Sequence, residues 1–308
     1  MRDSWKPNLF VPAFPKCGTT ALCDYLAQHP DIYVTEDKEP RTLVMQDDFA
    51  SNFLKNYPYW DRLKKMIDRA SPSFEEYKHR FEKYADKKYK VDGSQIYSDK
   101  EDNIIVIKDF NPSAKILIMI RSPRNRLISF YYYDYRYHKY DFNQYINNLV
   151  RPNIDYLLFF KRIAMFIKLF GEDNVRVIDN KALLKEPNLI MNKVFDFLKL
   201  CRIDIEPILS NPTISGPLLL RMNNLISDLS YRTTNILEKR GLLDTKLYST
   251  LGKISKTVKT VLKSIEKNRD KSNYYKLLIL IPDDVAEILD NDYKRTIDYC
   301  STKGILIR

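Results

Sequence analysis

Glycine is scarce in this chain, with seven in 308 residues, and that excludes a Gly-rich or fibrous protein. Cysteine is scarcer still. Cys17, Cys23, Cys201 and Cys300 are all there are, too sparse for a disulfide scaffold and without metal-ligand spacing. Cys17 and Cys23 flank the first expected helix and read as buried or incidental thiols in a reducing compartment. Long apolar runs are missing too. The N-terminus shows none, so no signal peptide or membrane anchor is expected. "LLILI" at 277–281 is too short to span a bilayer. The expectation is a cytoplasmic protein, or a chain separated from an anchor. Against these absences stands an excess of cations. Lys+Arg number 51 and Asp+Glu 40, a net charge of +11. Such a surface favours an anionic ligand, nucleic acid or an acidic surface, or it serves solubility alone. With 44% hydrophobic and 30% charged residues, the chain is long enough for one large α/β domain or two small ones around a sizeable core.

Local patterns suggest the order of elements. Residues 8–14 read as a short buried strand, 18–29 as a helix ended by His29-Pro30, and 31–34 as a second strand. Residues 50–86 look helical, and 87–97 form a strand running into a turn. "KILIMI" (115–120) fits a central parallel strand, being apolar throughout. Ser122 and Pro123 then cap a helix. An amphipathic helix is expected over 153–170, stopped by Gly171, then a strand at 174–178 and a helix at 189–200. From about 218 onward only helices are expected. Strands alternating with helices indicate an α/β fold whose parallel sheet is flanked by helices. The tyrosines of 131–140 fall in a helical pattern and read as a packed aromatic face rather than a base-stacking platform.

Two segments carry chemistry. "PKCGTT" (15–20) lies between a strand and a helix, but its lysine precedes its only glycine, the reverse of the Walker order. The first backbone N–H groups of a helix lack internal partners, and with the helix dipole they form an anion site. Gly18 lets an anion approach the backbone, Thr19 and Thr20 add hydroxyls, and Lys16 adds a point charge. The second segment is "IRSPRNRLISF" (120–130). Arg121 leaves the central strand, and Ser129 follows about two helical turns later, where both can face one anion. Taken alone, Arg121 and Arg126 could equally pair with carboxylates.

Together the two segments resemble the sulfotransferases that use 3′-phosphoadenosine 5′-phosphosulfate, in their glycan-directed and bacterial branches. Further similarities are "QHPDIYVTEDKEP" (28–40), "VDGSQIY" (91–97), "FGEDNVRVIDNKALLKEPNLIMNKVFDFLKL" (170–200) and, loosely, "PDDVAEILDNDYKRTIDY" (282–299). The resemblance implies a single P-loop-like domain over 1–308, with its α/β core at 8–200 and a helical part at 201–308. It implies that Lys16, Cys17, Gly18, Thr19 and Thr20 hold the 5′-phosphosulfate, and Arg121 and Ser129 the 3′-phosphate. Lys16 would also touch the transferring group. No metal is expected, and the product would be adenosine 3′,5′-bisphosphate.

The resemblance places the catalytic base at Glu39, in the KEP position. His29 reads as structural, His79 lies in a charged helix and His138 in the aromatic one. A carboxylate there, near the transferring sulfonate, would serve as the base. Lys38, Arg41 and Ser94 are candidate acceptor contacts. The pattern also departs from the family: Arg41-Thr42-Leu43 stands where aromatics are usual, Gln95 where proline is usual, and Gly93 where several relatives carry lysine. The implied acceptor is a hydroxyl on a glycan, with neither nucleic acid nor a membrane span involved. Arg221 and the basic segment 252–271 fall where relatives place a mobile cofactor loop. Two rival readings are a P-loop phosphotransferase, which would need magnesium, and a basic nucleic-acid-binding protein without turnover.

Overall fold

The computed structural model of the chain describes residues 4–35, 39–44, 72–138, 140–208 and 272–308, with scattered positions between 226 and 257; for 134–138 and 272–273 it describes backbone alone. Lys38, Arg221 and nearly all of 252–271 lie outside the described residues, as does much of the expected helical stretch 50–86.

Six strands form one parallel sheet. In chain order they are β1 (Leu9–Phe10), β2 (Ile32–Val34), β3 (Tyr89–Asp92), β4 (Lys115–Ile120), β5 (Val175–Asp179) and β6 (Leu306–Ile307), and across the sheet they run β2-β3-β1-β4-β5-β6. Parallel neighbours need crossovers, and helices supply them. The chain builds outward from β1 to one side through β2 and β3, then to the other through β4, β5 and β6. That reversal at β1 makes a crevice at the carboxyl ends of the strands, where open α/β sheets bind ligands. β4 has no exposed residue from Ile116 to Ile120, as a strand covered on both faces requires.

The helices begin and end for local reasons. α1 (Thr19–Leu26) starts after Gly18 at φ 95°. α2 (Phe74–Glu82) opens with a reciprocal Ser73/Glu76 capping box. α3 (Glu101–Phe110) carries Glu101 and Asp102 in its first turn, where carboxylates suit the helix dipole. α4 (Pro123–His138) starts on proline as expected. After the short α5 (Phe142–Tyr145) come α6 (Phe160–Phe170), α7 (Asn180–Lys185), α8 (Pro187–Phe197), α9 (Ser272–Ile279) and α10 (Asp283–Thr302). Asp292 of α10 accepts from the Phe159 amide at 2.6 Å and so caps α6.

A second apolar cluster joins α4, α5, the turns after it and α10. In it Tyr131 packs against Phe142 and Tyr145, with centroids at 5.1 and 5.3 Å. Tyr131 and Tyr132 are therefore core residues, as expected; Tyr133 is not, being 47% exposed.

Four boundaries differ from the sequence reading. β1 is two residues long. The strand expected over 87–97 stops at Asp92, because the Asp92 carboxylate accepts from the Ser94 amide at 2.9 Å and turns the chain into a short 3₁₀ helix, Gln95–Ser98. The helix expected over 153–170 breaks: Arg151–Leu157 is a 3₁₀ stretch, and Leu158 is extended. The bend turns the carbonyls of residues 155–158 toward two buried arginines. Finally, the chain closes on strand β6, where only helices were expected.

Candidate active site

Three adjacent strands deliver the candidate residues to one edge of the sheet. β1 lies between β3 and β4, with Phe10 opposite both Asp92 and Ile116. The 15–20 loop leaves β1, Asp92 and Ser94 end β3, and Arg121 ends β4. The sequence motifs are thereby brought together.

The loop is held in an unusual shape. Lys16 is left-handed at φ 68° and Gly18 at φ 95°. A side chain at Gly18 would be strained by that backbone. Its Cβ would also run into the Asn180 side-chain amide, which would have to move aside, so the left-handed backbone is the chief reason for glycine. The first intrahelical bonds run from the Ala21 and Leu22 amides to Gly18 O. The amides of Gly18, Thr19 and Thr20 stand before them, at the positive end of α1. Arg121 Nη1 donates to Lys16 O at 3.2 Å, and its Nη2 lies 3.4 Å from the Tyr274 hydroxyl of α9. Lys16 Nζ sits 4.1 Å from the centre of the Tyr133 ring.

Cys17 is fully buried. Burial pushes its thiol up, with Arg126, Arg121 and Arg162 opposing, so it is a neutral packing group and only its backbone belongs to the loop. Ser129 is also buried, at 1% exposure, one helical turn before Tyr133.

Beneath the loop lie the two arginines. Arg126 is fully buried and donates to Pro15 O at 3.0 Å and Leu157 O at 2.8 Å. Its guanidinium stacks on Phe159 at 4.8 Å and on Phe14 and Phe130. It pairs with backbone carbonyls rather than with a carboxylate. Arg162 donates to Ser98 O, Asp155 O, Tyr156 O and Leu158 O. Burial pulls it down to about 10, Arg126 pulling the same way. Near both arginines stands Asp99, whose buried Oδ1 has no hydrogen-bond partner. Burial raises its carboxyl to about 7; Arg162, a hydrogen bond from Tyr156 and Arg126 oppose, while Glu39 pushes it further up.

Glu39 is engaged at both oxygens. Arg41 Nη2 donates to Oε2 at 2.6 Å, and Gln95 Nε2 to Oε1 at 2.5 Å. Arg41 is itself left-handed, at φ 59°, and its amide donates to Ser94 Oγ at 2.8 Å. Ser94 in turn donates to Asp92 Oδ1 at 2.6 Å, while Tyr77 and Tyr97 both donate to Asp92 Oδ2 at 2.8 Å. Burial raises Asp92, and these donors oppose it. The buried carboxylate thus anchors the turn that carries Glu39 and Arg41. Ser94 serves that relay, whatever else it touches.

His29 is structural, as expected. Its Nδ1 accepts from the Asp31 amide at 3.1 Å, which leaves Nε2–H to donate to Cys201 O at 3.1 Å. His29, Asp31 and Cys201 are the one group with metal-ligand proximity among the described residues, their ligand atoms lying within 4.8 Å of one another. Both ring nitrogens of His29 are already committed, so this group does not offer an imidazole to a metal as it stands. Among the described residues no helix is long and apolar enough to cross a membrane.

Sequence reasoning missed Asn180, Asp99, Tyr133 and Arg162. Only Arg162 had a signal: it falls on the apolar stripe of Phe159, Ile163 and Phe166, where a cation must find buried partners.

Comparison with known proteins adds a family. A family profile described as a sulfotransferase domain matches residues 6–214. Among solved structures, a sulfotransferase from Alicyclobacillus acidocaldarius superposes with a TM-score of 0.55 at 21% identity, covering 76% of this chain and 96% of that one. The sulfotransferase domain of the Synechococcus PCC 7002 olefin synthase gives 0.39 at 16% identity, over 65% and 74% of the two chains. A sulfotransferase domain from the curacin biosynthetic pathway gives 0.42 at 16%, over 68% and 81%. At these identities the likeness is one of fold. No curated protein matches the chain.

Proposed function

Because the chain belongs to the sulfotransferase domain family and is an enzyme of sulfonate transfer, we propose that its donor is 3′-phosphoadenosine 5′-phosphosulfate and its acceptor a hydroxyl on a glycan. One observation carries the reading. Arg121, at the end of β4, is bonded to the backbone of Lys16, in the loop that ends β1. Two anion-binding elements 105 residues apart in the sequence would otherwise be independent; here they are one unit. The donor set suits the donor's anions: the amides that open α1 and the cations Lys16 and Arg121 lie together at the ends of β1 and β4. Bound there, the donor would supply an activated sulfonate. The amides of Gly18–Thr20 and the Lys16 ammonium would hold the 5′ side and stabilise charge on the transferring group. Arg121 and Ser129 would hold the 3′-phosphate, Ser129 once the groups covering it have moved.

Glu39 would take the acceptor proton. Its two present bonds, to Arg41 and Gln95, fix the carboxylate's orientation, and one must lengthen for it to act. Arg41 then stands beside the reacting region, as an acceptor contact does, and Lys38 precedes Glu39 on the same segment. The KEP glutamate and the turn at Ser94 favour a glycan over a small phenol. The cations of the loop can stabilise the transferring group without a metal.

Calorimetry on the purified protein tests this reading. Adenosine 3′,5′-bisphosphate should bind more tightly than AMP, and Arg121→Ala should remove about ten- to a hundred-fold of that preference, the worth of a charged hydrogen bond. Glu39→Gln should keep the bisphosphate affinity while turnover on a glycan acceptor falls by about 10²–10⁴. Equal affinity for the two nucleotides would overturn the donor assignment, and normal turnover by Glu39→Gln the base.

A further inference from the structure

We infer that Tyr133 is a positioning residue for Lys16, its ring serving as the platform that aims the lysine ammonium at the donor's 5′ anion. The inference rests on the donor reading of the loop. Lys16 is fixed at its backbone by a left-handed φ of 68° and by the Arg121 bond to its carbonyl. Beyond Cα it has four methylenes, and an unrestrained lysine end samples many rotamers. Here the ammonium rests 4.1 Å from the centre of the Tyr133 ring, within the range of a cation–π contact. A cation–π contact engages the ammonium from the ring side, while an anion is met through N–H groups, so the two modes do not exclude one another. Ring and anion are therefore compatible neighbours of the same cation.

The placement of Tyr133 supports a role in the site over a role in the core. Its neighbours Tyr131 and Tyr132 are buried at 9% and 7%, whereas Tyr133 is 47% exposed. It follows Ser129 by four residues on α4, so the two share a helical face. The face that brings Ser129 toward the 3′-phosphate also brings Tyr133 under Lys16. A single helix then sets both ends of the donor site.

The platform needs a π face and no hydroxyl. Binding of adenosine 3′,5′-bisphosphate by calorimetry, together with sulfonate transfer, separates the possibilities in four variants. Tyr133→Phe should bind and turn over as the wild type does. Tyr133→Leu should bind about two- to five-fold more weakly, the worth of an exposed cation–π contact, and lose kcat by at least as much. In a Lys16→Ala background, Tyr133→Leu should cause no further loss of affinity. If Lys16→Ala binds the bisphosphate like the wild type, the loop reading itself fails. If Lys16→Ala binds weakly but Tyr133→Leu binds normally, the platform is overturned and the loop reading stands. An equal loss from Tyr133→Leu in both backgrounds also overturns it, because the ring would then touch the nucleotide rather than the lysine.

Discussion

A carboxyl with a buried, unpartnered oxygen is costly to ionise, and Asp99 is such a group. Two arginines nearby would ordinarily compensate, but Arg126 and Arg162 spend their hydrogen bonds on carbonyls of residues 15, 98 and 155–158. Burial then wins, and the carboxyl titrates near 7. The consequence for stability has a definite sign. An aspartate is about half ionised at pH 3.9 in the unfolded chain. Between that pH and about 7 the unfolded state releases a proton that the folded state keeps. Stability from this group is therefore highest at acidic pH and is lost as pH rises toward 7. Asp99→Asn removes the titration. Relative to the wild type, its urea midpoint should improve between pH 5 and pH 8, by a gain on the order of 1–3 kcal/mol. Parallel pH profiles for the two proteins would show that Asp99 ionises freely. Glu39 differs at the same scale: each of its oxygens has a donor, so its role depends on which donor moves.

At the scale of elements, the loop depends on a contact the motif does not advertise. Arg126 ties α4 to the loop through Pro15 O and to the turn before α6 through Leu157 O and Tyr156 O. It stacks on rings and bonds to carbonyls, and Asp99 and Asp292 act on it only through space, so replacing it strands carbonyls. Arg126→Met should lower stability by about 3 kcal/mol or more, since several buried acceptors lose their donor. Arg126→Lys should also fall well short, because an ammonium lacks the planar fork that spans three carbonyls. Urea unfolding of both variants is the measurement, and a Lys variant as stable as the wild type would refute the clamp. Much of this scale was legible in the sequence. The alternation of apolar runs with helical periods gave five of the strands and the parallel sheet, because burial on both faces leaves continuous apolar stretches such as 116–120. The loop and Arg121 were legible because glycine and cations at a strand end have few other uses. The break at Leu158 was hidden, since the carbonyls it turns inward are taken by Arg126 of the distant α4 and by Arg162 of α6. β6 was hidden because two residues show no period. Asn180 and Tyr133 matter through a close approach and a ring face, which are properties of the folded chain alone.

At the scale of the whole molecule, a net charge of +11 attracts anions of any kind, and two explanations compete for it. One is a built donor site; the other is a basic surface that gathers polyanions. Salt separates them. Long-range attraction is screened over a Debye length of about 8 Å at physiological ionic strength, and binding of a charged polymer to a basic surface falls steeply as its counterions are released and re-bound. A donor site works differently. In the proposed site the loop amides, Lys16 and Arg121 would act at hydrogen-bond range on a bound anion, where screening is weak. Raising salt from about 50 to 200 mM should therefore weaken binding of a random single-stranded oligonucleotide by about 10³-fold if it makes many phosphate contacts. Adenosine 3′,5′-bisphosphate should lose only several-fold over the same range, mostly through the screened field of the surface. Fluorescence anisotropy for the oligonucleotide and calorimetry for the bisphosphate give the two slopes. If the bisphosphate falls as steeply as the polymer, the cradle adds nothing to the surface charge, and the donor assignment of Lys16 and Arg121 goes with it. If the slopes differ as expected, the charge brings anions to the molecule, and the geometry of β1, β4 and α1 decides which one stays.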